Sequence, residues 1–88
     1  MAEFEVAGED VVGNRSAILA ALKEMSARPL SRQQGVAGSV DAVVDGFRLP
    51  SGERIELWSD NFTPLSLRGE ADLVRQVAEA AGVELADG

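Results

Sequence analysis

Between Phe47 and Arg68 the apolar side chains fall on every second position: Phe47 and Leu49, then Ile55 and Leu57, then Leu65 and Leu67. Period two sends alternate residues to opposite sides of a pleated strand, so this stretch predicts a sheet with one apolar face. Runs with helical spacing stand on either side. Ile18, Leu22 and Met25, with Ala21 beside them, lie four and three residues apart within 15–27, for which Asn14 is a plausible N-cap. Leu73, Val77, Ala80 and Ala81 do the same within 70–81, where Glu70 and Asp72 occupy the first turn and Gly82 provides the stop. Two helices covering one side of a sheet is the arrangement that buries both kinds of apolar surface.

The remaining elements follow from local signals. Glu3-Phe4-Glu5-Val6 alternates as a short first strand, and Gly8 to Gly13 reads as a turn. Residues 28–39 lose all periodicity around Pro29, Gly35 and Gly38 and read as a mobile loop. Asp45-Gly46 between Val40–Val44 and Phe47–Leu49 is a strong hairpin signal, since a type I′ turn needs positive φ at both central positions. Pro50-Ser51-Gly52-Glu53 supplies a second turn and Ser59 to Pro64 a third connection. Val83 and Leu85 either fold back onto the last helix or add a strand. The expected class is α+β: a mostly antiparallel sheet of four to five strands in the order β-α-β-β-β-β-α, with two helices packed on one face, in a single domain over 1–88.

At 88 residues, such a domain buries only about 60–65% of the surface of its unfolded chain, so roughly a dozen apolar side chains must form the core. Cysteine, histidine and tyrosine are absent and Lys23 is the one lysine, which removes most of the usual nucleophiles, general bases and soft metal ligands. No serine has a histidine to activate it, and no glycine stands in a phosphate-cradling motif. Asp41 and Asp45 flank an expected surface hairpin, where carboxylates are solvated and a catalytic pair is not expected. These features predict a protein that is not an enzyme and uses no cofactor or metal. The net charge of −7 argues against a general grip on nucleic acid and suits a basic protein partner, although acidity of this kind also serves solubility in bacterial cytosolic proteins. The acidic first residues do not read as a secretory signal and no apolar run is long enough for a membrane span, so the expected location is the cytoplasm.

Strand parity yields the main site expectation. If the six apolar residues face the helices, then Arg48, Arg54, Glu56, Trp58, Ser66 and Arg68 face away. Arginines gathered around the single tryptophan have the composition of an interaction hot spot, with Arg48, Arg54, Trp58 and Arg68 as partner-binding residues. The bland alternative makes Trp58 an edge of the core and pairs the arginines with Glu56 and Asp45. A second candidate is a basic lip formed by Arg28 and Arg32. A third is the 59–64 connection, where Asn61 and Thr63 could hold an anion, unless it is simply an Asx turn closed by Pro64.

The stretch from Asp45-Gly46-Phe47 to Ala71 resembles the C-terminal domain of the α-D-phosphohexomutases, the phosphoglucomutases and phosphomannomutases. There a hairpin beginning Asp-Gly leads to an alternating strand, a phosphate-binding loop ending in proline, another strand and a closing helix. The resemblance covers about the last half of the chain and implies architecture. The family's loop reads Arg-Pro-Ser-Gly-Thr-Glu-Pro, whereas this chain has Trp58-Ser59-Asp60-Asn61-Phe62-Thr63-Pro64 and keeps only the proline in register. Three functional readings follow: a non-catalytic interaction module such as an accessory subunit or an immunity or antitoxin protein, a small domain that binds an anionic, phosphorylated metabolite, and a homodimer formed through sheet edges or the open face.

Overall fold

A computed structural model describes residues 2–34, 43–59 and 65–86. The chain runs β1 (Ala2–Val6), α1 (Val11–Glu24), β2 (Arg28–Gln34), β3 (Val43–Arg48), β4 (Arg54–Ser59), β5 (Ser66–Gly69), α2 (Ala71–Ala81) and β6 (Leu85–Ala86). All six strands join one antiparallel sheet in the order β2-β3-β4-β5-β1-β6. The class is α+β, as the alternation predicts, and the 83–86 segment adds a sixth strand beside β1.

The alternation places the core where it should. Ile55, Leu57 and Leu67 are fully buried, and Phe47, Leu49 and Leu65 nearly so. They pack in one cluster with Ile18 and Leu22 of α1 and Leu73, Val74 and Val77 of α2. On α2 the buried face is Leu73, Val74, Val77 and Ala78, while Ala80 is exposed. Ala81, at the end of the helix, is partly buried and packs against the same cluster.

Three local expectations are corrected. Helix α1 begins at Val11, not Arg15, because the carboxylate of Asp10 accepts a hydrogen bond from the Gly13 amide at 3.0 Å and serves as the N-cap in place of Asn14. Asn14 instead donates from Nδ2 to the Ala7 carbonyl at 3.3 Å. Val12 is 77% exposed, so the first turn carries no apolar stripe that would reveal it.

The segment read as a mobile loop is strand β2 as far as Gln34; residues 35–39 lie outside the described residues. As an edge strand it bonds on one side only, so it tolerates Pro29 and needs no alternation. Its register shifts between Pro29 and Ser31, and Leu30 at that irregularity is exposed.

Asp45-Gly46 is not a hairpin turn. Both residues lie inside β3, opposite Leu57 and Glu56 of β4. Asp45 faces the helices, where Arg15 of α1 donates to its Oδ2 at 2.7 Å, so the carboxylate is held by an ion pair and does not shape a turn. The reversal falls instead at the expected Pro50–Glu53 turn, where Gly52 at φ 92° donates to the Leu49 carbonyl and Leu49 donates to that of Glu53.

A Cβ added at Gly13 would run into the Asp10 carboxylate. Replacing a helical glycine by alanine ordinarily stabilises by about 1 kcal/mol. Here Gly13→Ala is expected to gain less than half of that, because the cap must swing aside. The full gain should return in an Asp10→Gly background. Thermal melts of the four proteins test this; equal gains in both backgrounds would show that cap and glycine are independent.

Candidate interaction face

Both helices pack on one side of the sheet, and on the other side the strand registers sort the side chains into rows that run across the strands. One row contains Glu56, Arg68 and Glu3, on β4, β5 and β1. The next contains Val44, Trp58, Ser66 and Glu5. A third, nearer the Pro50–Glu53 turn, consists of Arg28, Arg48 and Arg54 on β2, β3 and β4.

Trp58 and Arg68 sit diagonally between the first two rows and touch. The Arg68 guanidinium carbon lies 3.8 Å from the centroid of the indole, the geometry of a cation–π stack. Its Nη2 lies 3.1 Å from Oε2 of Glu3. The indole Nε1 donates to Oε1 of Glu56 at 3.4 Å. Trp58 and Arg68 are half-buried, while Val44 and Ser66 on either side of Trp58 are buried and Glu3 and Glu5 are exposed. Stacking and ion pairing fix the guanidinium before any partner arrives, which lowers the side-chain entropy lost on contact.

Strand parity gathers Arg48, Arg54, Trp58 and Arg68 into one cluster on one face; the registers bring only Trp58 and Arg68 of these four into contact, while Arg48 and Arg54 are exposed and lie in the third row. The alternative pairing of these arginines with Asp45 is excluded by register, since Asp45 points to the helices and binds Arg15. Glu3 is the member that sequence reasoning misses. Alternation marks it as polar and outward, but nothing in the sequence says that β1 lies beside β5. Of the anion-binding candidates, Arg28 is exposed at the start of β2; the Arg32 side chain, Asn61 and Thr63 lie outside the described residues.

Glu70, at the start of α2, has its carboxyl held above the ordinary carboxylate range, first by a hydrogen bond with Glu53 and then by the charge of the same residue. The two carboxylates face one another at the surface and pair with no arginine among the described residues. No group of three or more Asp or Glu among those residues is placed to hold a metal ion. No described helix is long and apolar enough to cross a membrane.

The Asp-Gly hairpin with which the phosphohexomutase likeness begins is not formed, since Asp45 and Gly46 lie inside β3, and residues 60–64 of its loop fall outside the described residues. Compared with known proteins, the chain matches no protein-family model, no curated sequence and no solved structure.

Proposed function

We propose that this chain is a non-catalytic protein-interaction module, of the accessory-subunit or immunity and antitoxin kind, acting in the cytoplasm. It engages a basic partner through the sheet face away from the helices, centred on Trp58. The observation that carries this reading is the Trp58–Arg68 stack flanked by Glu3 and Glu56. A large aromatic ring and a pre-set guanidinium are the side chains that dominate interface energies. The carboxylates of Glu3, Glu5 and Glu56 around them match a partner that presents lysine or arginine.

The sheet edges are poorer docking sites. The β2 edge is interrupted by Pro29 and a register shift, and the β6 edge is two residues long. Both features discourage strand addition and favour the face over the edges, for a second copy of this chain as for any other partner.

The test is capture of partners from a lysate of the source organism on wild-type protein and on a variant with Trp58 and Arg68 changed to alanine. Circular dichroism establishes that the variant remains folded. The expected result is a protein retained by the wild type and lost from the variant. Once that partner is purified, Trp58→Ala and Arg68→Ala should each weaken the complex by about 2 kcal/mol or more. Unchanged affinity in both would remove this face from the interaction.

A further inference from the structure

The third row calls for an explanation that the Trp58 cluster does not give. Arg28, Arg48 and Arg54 are direct register partners on three adjacent strands, so they extend from the same face with neighbouring Cα atoms only about 4.5–5.5 Å apart. Like charges placed directly opposite one another destabilise a sheet. An acidic chain with eight basic residues in all has placed three of them side by side. The ion pairs among the described residues are Arg15–Asp45 and Arg68–Glu3, and neither involves this row. Glu53 precedes Arg54 in the chain and Glu70 follows Gly69, the β5 partner of Ile55, and these two carboxyl groups are hydrogen-bonded to each other.

A groove of about 440 Å³ opens at the end of this row, lined by Ser26, Arg28, Arg48, Leu49, Pro50 and Gly52. That volume lies within the range of small-molecule sites. Ser26 supplies an independent observation. Helix α1 ends in a Schellman motif, with the Ser26 amide donating to the Lys23 carbonyl and the Ala27 amide to that of Leu22. The left-handed residue of this motif is usually glycine, and α2 closes the same way with Gly82 at φ 73°. In α1 the position holds Ser26 at φ 62°, a conformation that disfavours a side chain. The chain thus keeps a serine among the groove-lining residues at a position whose backbone conformation favours glycine.

We infer that the Arg28–Arg48–Arg54 row and the groove beside it form a binding site for a compact dianion of the phosphate-monoester class, carried on a small phosphorylated molecule. Arg28 and Arg48 give planar N–H forks to the phosphate oxygens, Ser26 contributes a hydroxyl, and Arg54 adds charge from the next strand. The bound dianion cancels the repulsion along the row. This site lies outside the Trp58 cluster and does not rest on the interaction reading.

Titration of 15N-labelled protein with inorganic phosphate, glucose 6-phosphate and citrate at low salt tests the assignment. Phosphate and glucose 6-phosphate are expected to give saturable amide shifts confined to Ser26–Arg28, Arg48–Gly52 and Arg54. Half-saturation by the sugar phosphate should fall near or below about 1 mM and move upward with added sodium chloride. Arg48→Gln should weaken binding about tenfold or more, since it removes a charged donor. Ser26→Gly should melt at a higher temperature than the wild type and yet bind the sugar phosphate more weakly. Shifts that do not saturate, that spread over the whole surface, or that persist unchanged in Arg48→Gln would overturn the site, and binding of citrate alone would overturn its phosphate chemistry. A negative titration leaves the Trp58 interface standing, and a failed partner capture leaves this site standing.

Discussion

Leu57→Ala is expected to lower the free energy of unfolding by about 3–4 kcal/mol, the range for removing a fully buried leucine from a core that collapses only in part. Leu57 is 0% exposed and lies in β4, which has β3 on one side and β5 on the other, opposite Leu67 in the β5 register. Both helices press on this layer through Ile18, Leu22, Leu73 and Val77. A domain of this size has a total stability of roughly 5–13 kcal/mol, so the variant should remain folded at low temperature with a much earlier urea midpoint. Val12→Ala, at a side chain 77% exposed, should change stability by no more than about 0.5 kcal/mol. A loss below about 1 kcal/mol for Leu57→Ala would mean that the two helices do not close on the sheet in this way.

The second large effect belongs to the ion pair that fastens α1 to β3. Asp45 and Arg15 keep only 12% and 29% of their side-chain surface, and they meet at 2.7 Å. Such a sheltered pair differs from a surface salt bridge because each partner has already given up much of its water. Asp45→Ala is expected to cost about 2–3 kcal/mol, since it leaves the sheltered Arg15 guanidinium poorly compensated, and Arg15→Ala less than that, since Asp45 keeps a further interaction. The double-mutant cycle should return a coupling of about 1–2 kcal/mol that changes little with salt. A coupling indistinguishable from zero in urea titrations would show that packing alone fixes the angle of α1.

These two variants also mark the boundary of what the sequence discloses. The burial of Leu57 is legible because alternation is a local property: each strand in the central sheet shows its inner face by period two, whatever its neighbours are. The role of Asp45 is not legible. Asp-Gly is a turn signal only where the chain on both sides is free to reverse, and here Val43-Val44 and Phe47-Arg48 remain in one ladder with β2 and β4 on either side. The strand β2 is illegible for a related reason, since a strand at the sheet edge, bonded on one side only, is under less pressure to alternate. The start of α1 was hidden by a cap that acts through one carboxylate and by a first turn with no buried face.

The candidate sites divide in the same way. Trp58 and Arg68 could be placed on one face from parity alone, and so could Arg48 and Arg54. Which of them touch depends on register between strands, which short-range patterns do not encode. The row of three arginines required knowing that Arg28 begins a strand and that this strand lies against β3. Glu3 required knowing that β1 enters the sheet beside β5.

That last placement has a kinetic meaning. The meander from β2 to β5 joins sequence neighbours and can assemble through short loops, whereas β1 must cross nearly the whole chain to meet β5. The Glu3–Arg68 contact therefore forms only once the far ends of the sequence have come together. A partner that recognises the stacked arginine with its carboxylate in place recognises a finished molecule, and half-assembled chains offer it an incomplete surface.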